Sequence, residues 1–141
     1  EVASLIAEAL AELGLQRGFV VHSSDGLDEI TIAGETTMFD ICHGRVFRRI
    51  VTPADFGFDV EPPETMQGGT PEENAAIATR ILSGELGGRR NVVLMNASAA
   101  LVAAGKAADF KEGVSMAAAA IDSGAALARL RSLACFNSCA H

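Results

Sequence analysis

Hydrophobic residues at helical spacing open the chain, and a short apolar run follows them. They recur at intervals of three and four positions, as in an amphipathic helix: Val2, Leu5, Ile6, Ala9, Leu10 and Leu13. Gly14 stands where a glycine can end a helix in the left-handed conformation. Residues 19–22 then predict a short buried strand. A helix that leads directly into a buried strand predicts half of an α/β unit.

The middle of the chain carries the shorter runs that are typical of β-strands. Three β-rich runs cover residues 30–32, 36–42 and 45–51. His43-Gly44 separates the last two and predicts a hairpin turn, because glycine tolerates a positive φ. Prolines and glycines punctuate residues 52–70, which predicts a long connection of the kind that is often functional or packed against another domain.

Beyond residue 70 the pattern predicts helices. Thr70, Pro71 and Glu73 have the order of a capping box with proline at the first helical position. Residues 91–104 are almost wholly apolar and rich in alanine, which predicts a central helix packed on all sides. The caps and buried positions predicted for the last two helices are Asp109, Glu112, Ser123, Leu127, Leu130 and Leu133.

Length and charge narrow the classes of function. The 141 residues, 49% of them hydrophobic, suit one ordinary domain with its own core. No apolar run approaches the roughly 18 residues that cross a bilayer, and no secretory signal is evident, so no membrane partner is expected. The formal net charge of −7 disfavours a nucleic-acid partner, because non-specific binding of that kind needs a cationic surface.

The three cysteines indicate reduced thiols, which predict a cytoplasmic protein. Cys42 is remote from Cys135 and Cys139, and no C-x-x-C pair occurs. Cys135, Cys139 and His141 have a spacing that could ligate a metal, but a tail outside the domain is the preferred interpretation.

An acidic loop follows the first predicted strand, with the sequence His22-Ser23-Ser24-Asp25-Gly26-Leu27-Asp28-Glu29. Carboxylate oxygens on a loop suit Mg²⁺, which usually takes one or two carboxylates and shares the rest of its shell with water and phosphates. The alternative is a solvated turn. Asp25 is assigned to the turn, because aspartate before glycine is a common turn pair.

Residues 20–29, V-V-H-x-x-D-G-L-D-E, resemble the signature of the anthranilate phosphoribosyltransferase family. Ser23 departs from it, because the family commonly has glycine there. Further blocks follow in the family's order: T-P-A-D-F-G at 52–57, G-G at 68–69 with E-N-A-A at 73–76, L-S-G-E at 82–85, N-V-V-L-M-N-A at 91–97, and E-G at 112–113 with A-I-D-S-G-A-A at 120–126.

The resemblance implies an α/β fold, the C-terminal portion of the nucleoside phosphorylase/phosphoribosyltransferase catalytic domain, with a mixed sheet flanked by helices. Residues 1–133 would belong to this domain. Residues 134–141 depart from the family ending and would form a tail that need not be ordered.

The resemblance also implies the chemistry. In the family the amine of anthranilate attacks C1 of phosphoribosyl pyrophosphate, and Mg²⁺ helps pyrophosphate to leave. Asp28 and Glu29 would be the Mg²⁺ ligands, and no protein nucleophile is needed. Adjacent side chains of an extended segment point in opposite directions, so the pair would serve two neighbouring ions, or one ion directly and one through water.

Several parts of the family have no counterpart in these 141 residues. They are the glycine-rich G-T-G-G-D loop, the K-H-G-N and N-x-S-T segments, and the helical domain through which the family forms homodimers. The chain is therefore interpreted as a C-terminal fragment that cannot catalyse the transfer alone.

Two other functions remain open at this stage. A non-catalytic nucleic-acid-binding relative of the same fold should show a basic face and could dispense with the acidic loop. A protein similar to pyrimidine-nucleoside phosphorylase would use inorganic phosphate, and the acidic loop would have no purpose there.

Overall fold

The computed structural model describes residues 2–138 and has the α/β character expected from the sequence. The elements follow in the order α1 (Val2–Glu12), β1 (Arg17–Ser23), β2 (Thr36–Cys42), β3 (Arg45–Val51), α2 (Pro71–Leu82), α3 (Gly88–Ala103), α4 (Phe110–Asp122) and α5 (Ala125–Ser138). Two short 3-10 turns, Pro53–Phe56 and Pro63–Met66, lie in the connection between β3 and α2. Among the described residues, no helix combines the length and apolar character that a membrane span requires.

The three strands form one antiparallel sheet in the order β1-β2-β3. Cys42 pairs with Arg17 of β1 and with Arg45 of β3, so all three strands are in register at this end. The predicted hairpin turn is confirmed, because His43 and Gly44 have φ values of 48° and 76°, as a two-residue turn between twisted strands requires. Both strand pairs among the described residues are antiparallel. The structure therefore shows the antiparallel part of the expected mixed sheet.

Helices cover both faces of the sheet. Side chains alternate along β2, so neighbouring residues face opposite sides. Phe39 packs against Ala7 of α1 on one side. Met38 packs with Met95 of α3 and Phe110 of α4 on the other. The sheet therefore lies between α1 and the pair formed by α3 and α4.

The helices α3 and α4 approach closely at a glycine. A Cβ atom added to Gly113 would stand 2.9 Å from the Cα of Ser98, too near for a side chain. The Ser98 hydroxyl donates a hydrogen bond of 2.7 Å to the carbonyl of Phe110. At the other end of the contact, Arg90 of α3 forms an ion pair of 2.8 Å with Asp122. The absence of a side chain at Gly113 lets α3 and α4 approach closely, and the hydrogen bond and the ion pair hold the two helices together.

The apolar run at residues 30–32 was predicted to be part of a strand, and this prediction was wrong. These residues lie in the loop between β1 and β2. Ile30 and Ile32 are 1% and 0% exposed, because both enter the core between the sheet and α3. Burial rather than strand pairing explains why the run is apolar.

The last helix also differs from the prediction. Ser123 ends α4 and does not cap α5, and Gly124 with a φ of 75° makes the turn between the two helices. Leu133 was expected to be buried but is 60% exposed. The helix α5 runs five residues into the segment predicted as a tail, and residues 139–141, with Cys139 and His141, lie outside the described residues.

Candidate metal centre

The carboxylate of Asp25 organises the loop between β1 and β2. Its Oδ2 accepts a hydrogen bond of 2.6 Å from the Thr31 hydroxyl, and its Oδ1 accepts bonds from the Ser23 hydroxyl and the Leu27 N–H. Burial alone would raise the pKa of Asp25, but the hydrogen bonds from Ser23, Thr31 and Leu27 outweigh it and lower the pKa below its ordinary value. Asp25 therefore shapes the loop, in agreement with the turn role proposed from the sequence.

Asp28 and Glu29 have no such partners. Within residues 2–138, neither carboxylate accepts a hydrogen bond or forms an ion pair. Asp28 is exposed, and Glu29 is partly buried. Burial raises the pKa of Glu29, and the negative charges of Asp28 and Asp25 raise it further. A cation beside these acids would relieve that repulsion.

The two acids open onto different cavities. Glu29 lines a mostly apolar cavity of about 410 Å³ between α2 and α3, and Arg89 is the one cationic residue among its described lining residues. Asp28 lines a second cavity of about 380 Å³ between α1 and β1, beside His22. The two side chains thus face different cavities, as was expected of adjacent residues, although residues 28 and 29 form a bend and not an extended segment.

The residues present fit Mg²⁺ as part of its shell. No group of three or more His, Cys, Asp or Glu side chains that could hold a metal occurs within residues 2–138. Asp28 and Glu29 are hard oxygen donors that form no bond with the described part of the chain, and Mg²⁺ commonly keeps water and phosphate oxygens in its remaining positions. The loop therefore suits an ion that is shared with a substrate better than one held by protein alone.

Ser23 does not strain the loop. It is the last residue of β1 and is only 1% exposed. Among the described residues other than glycine, only His43 has a positive φ. A glycine is therefore not required at Ser23, although the family that the motif resembles commonly has one, and the Ser23 hydroxyl contributes to the loop by bonding Asp25 and the carbonyl of Leu27.

Sequence reasoning missed Asn96, which lies on α3 and holds the loop from outside. Its side chain forms two hydrogen bonds of 3.0 Å with the backbone of Ile30, the residue that follows Glu29. One signal was available in the sequence, because Asn96 is a polar residue inside the apolar run 92–104. That signal could not identify the partner, which is 66 positions away.

Comparison with known proteins gives consistent results. The model of a glycosyl transferase family, a/b domain, matches residues 1–127. The chain is 53% identical over 134 residues to an anthranilate phosphoribosyltransferase of Solibacter usitatus, covering 95% of this chain and 39% of that protein. It is 51% identical over 132 residues to one from Pelotomaculum thermopropionicum, covering 94% and 38%. The chain thus spans about two fifths of the length of the relatives it matches.

Solved structures of the same kind share the fold. The crystal structure of anthranilate phosphoribosyltransferase from Thermus thermophilus superposes with a TM-score of 0.82 at 40% identity, covering 92% of this chain and 38% of that one. The Saccharomyces cerevisiae enzyme in complex with PRPP and Mg gives a TM-score of 0.82 at 29% identity, with the same coverage.

Proposed function

Since this chain belongs to the glycosyl transferase family, in its α/β domain, we propose that it forms the Mg²⁺-binding part of an anthranilate phosphoribosyltransferase. The reaction would transfer phosphoribose from phosphoribosyl pyrophosphate to anthranilate, a step of tryptophan biosynthesis. The observation that supports this most directly is the pair Asp28 and Glu29, whose carboxylates form no bond within residues 2–138 although they lie on a loop organised by other side chains.

The relatives support the same proposal. Those named above are anthranilate phosphoribosyltransferases, and the Saccharomyces cerevisiae structure contains both PRPP and Mg. Another structure of the yeast enzyme, with a TM-score of 0.72, contains 4-fluoroanthranilate. Because this chain spans only part of each relative, the activity and both substrates are proposals for it.

The chain's own residues would contribute charge and position. Bound Mg²⁺ would supply electrostatic stabilisation of the negative charge that develops on the departing diphosphate. Asp28 and Glu29 would serve two neighbouring ions, or one ion directly and one through water. Asp25, Ser23 and Thr31 would fix the loop through their mutual hydrogen bonds. No protein nucleophile is required, because the amine of the acceptor attacks the sugar carbon.

A chimeric enzyme tests this proposal. In the Thermus thermophilus enzyme, the matching segment is replaced by this chain, and formation of phosphoribosyl-anthranilate is measured against Mg²⁺ concentration. We expect turnover that depends on Mg²⁺. The double variant Asp28→Ala/Glu29→Ala should lose about a hundredfold or more in kcat/KM, because several kcal/mol of transition-state stabilisation disappear.

Asp59 and Glu64 provide a matched control, because both are exposed acids in the connection between β3 and α2. The variant Asp59→Ala/Glu64→Ala removes the same charge and should keep full activity. The isolated 141-residue chain should form no product. A chimera whose turnover and Mg²⁺ dependence survive the loss of Asp28 and Glu29 would contradict the metal assignment.

The remaining proposals concern partners and location. We infer a homodimer formed through parts of the protein outside this chain, and a cytoplasmic location, which the free thiols of Cys42 and Cys135 support. A nucleic-acid partner is disfavoured by the net charge of −7 and because Asp40 pairs with both Arg17 and Arg49. Salt-sensitive retention of DNA in a gel-shift titration would favour the nucleic-acid-binding alternative instead.

A further inference from the structure

The backbone of Ile30 is held by one side chain from another element. The N–H of Ile30 donates to Asn96 Oδ1 at 3.0 Å, and Asn96 Nδ2 donates to the carbonyl of Ile30 at 3.0 Å. The same Nδ2 also donates to the carbonyl of Val92, one turn earlier on α3, at 3.0 Å. Asn96 thus gives a loop residue the donor and acceptor that a strand neighbour would give in a sheet.

This clamp, the pair of hydrogen bonds between Asn96 and the backbone of Ile30, acts directly after the acidic pair Asp28 and Glu29. Ile30 is 1% exposed, and its amide nitrogen is bonded to the carbonyl carbon of Glu29. Fixing that peptide group fixes the direction in which the chain leaves Glu29. At the other end, Asp25 is held by Ser23 and Thr31. Asp28 and Glu29 therefore lie between two anchors, while their own side chains form no hydrogen bond with any described residue.

Packing alone does not explain why an asparagine occupies position 96 of α3. Its neighbours on α3, Val92, Met95 and Ala99, are all buried in the core that includes Ile30. Asparagine forms helices less readily than leucine or alanine, so an apolar residue would suit the helix better. A neutral amide can satisfy one donor and one acceptor of a peptide group without adding charge beside the two acids.

We propose that Asn96 is a positioning residue for the metal loop, setting the geometry of Asp28 and Glu29 through the backbone of Ile30. This rests on the proposed function, because it requires that the two acids bind a divalent cation. Asn96 itself would not touch the ion. Partners that orient metal ligands in this way commonly change metal affinity by about 10- to 100-fold when they are replaced.

The test uses the 141-residue chain and Mn²⁺ as a paramagnetic probe for Mg²⁺. Binding is followed by the electron paramagnetic resonance signal of free Mn²⁺, and exchange of the Ile30 amide by NMR. The variant Asn96→Ser keeps a hydroxyl that can bond the Val92 carbonyl but is too short to reach Ile30. We expect Mn²⁺ affinity to fall by about tenfold or more, with faster exchange at Ile30. Asn96→Leu should give the same result with an apolar side chain of similar size.

Ser98→Ala is the matched control. Ser98 lies two positions further along α3 and forms a buried hydrogen bond with the carbonyl of Phe110, on the side of α4. Its loss should lower stability, because a buried hydrogen bond between α3 and α4 disappears, but should leave Mn²⁺ affinity unchanged.

Each outcome decides between the two proposals. If Asp28→Ala/Glu29→Ala abolishes Mn²⁺ binding but both Asn96 variants bind as tightly as the original chain, the metal site stands and the role of Asn96 is refuted. An equal loss of affinity in Ser98→Ala also refutes it, since the effect would then be one of stability. Because the ion would share its shell with a substrate, the titration is run with and without inorganic pyrophosphate. If the original chain binds no Mn²⁺ in either condition, the metal assignment fails, and the role of Asn96 fails with it.

Discussion

Asp25 and Glu29, two carboxylates four residues apart in one loop, respond to pH in opposite directions. The lowered pKa of Asp25 means that its charge stabilises the fold above the ordinary pKa, and this contribution is lost as pH falls through the lowered value. The raised pKa of Glu29 has the reverse effect. Its ionisation costs stability, so the free energy of unfolding decreases as pH rises from the ordinary glutamate pKa of about 4.3 through the raised value.

We predict that Glu29→Gln stabilises the metal-free chain at neutral pH. Glutamine cannot ionise, so the variant avoids both the desolvation of a charge and the repulsion from Asp28 and Asp25. Its free energy of unfolding, measured by urea denaturation, should exceed that of the original chain at pH 7. The difference should shrink as pH falls through the raised pKa of Glu29 and should vanish below about 4.3, where both chains are neutral at this position.

Glu35→Gln is the control for this prediction. Glu35 is exposed at the far end of the same loop, so losing its charge should not produce the same gain. Adding Mg²⁺ should reverse the order of stability if Glu29 binds the ion, because binding stabilises only the chain that retains the ligand. A Glu29→Gln variant less stable than the original chain at pH 7 without metal would contradict the assigned environment.

Among single residues, the sequence could place the acids on one loop but could not separate their roles. The turn at Asp25-Gly26 is local and was predicted from two neighbouring letters. The bond from Thr31 to Asp25 depends on how the loop returns after six residues. The clamp from Asn96 depends on a helix that follows much later in the chain. Local chemistry was therefore predictable, and long-range partners were not.

At the scale of elements, α2 depends on its cap more than on its packing. The Thr70 hydroxyl accepts a hydrogen bond of 3.3 Å from the Glu73 N–H, and Glu73 Oε2 accepts one of 2.7 Å from the Thr70 N–H. Ile81 is the only buried residue of this helix. The capping box predicted from the sequence is confirmed, and it satisfies backbone donors that the helix cannot pair internally.

We predict that Thr70→Ala destabilises α2 by about 1 kcal/mol, because the helix loses its cap. Hydrogen exchange of the α2 amides measures this, since the helix can open without the rest of the domain. Thr79→Ala is the matched control, with the same substitution on an exposed position of the same helix. Its effect should be neutral or slightly stabilising, because alanine forms helices more readily. Equal acceleration of exchange in both variants would contradict the role of the cap.

Among the elements, sequence signals were reliable where one residue type fixes one conformation. Gly14 has a φ of 92° and ends α1, as predicted. Apolar patterns were less reliable. The stripe that predicted α1 includes Val2, Leu5 and Leu13, which are 70%, 64% and 83% exposed, whereas Ala7 is fully buried against the sheet. Periodicity indicated the helix but not which of its apolar sides meets the sheet.

At the scale of the whole molecule, other segments of the chain are held to α3 by side-chain hydrogen bonds. Polar side chains along it reach three separate segments, which are α4, the connection between β3 and α2, and the loop between β1 and β2. Arg90 bonds Asp122, Asn91 bonds Glu61, Asn96 bonds Ile30 and Ser98 bonds Phe110. Seven of its residues are buried, against one in α2.

Because these links converge on one helix, α3 cannot unravel alone. Its central amides should exchange with solvent only when the entire chain unfolds, while those of α2 exchange through partial opening. Native-state exchange at increasing low concentrations of urea distinguishes the two, and an identical urea dependence for both helices would disprove the difference. The acidic loop is hydrogen-bonded to α3, the helix that we expect to open last. The conformation of the loop should therefore persist on heating or in mild denaturant almost to the melting point.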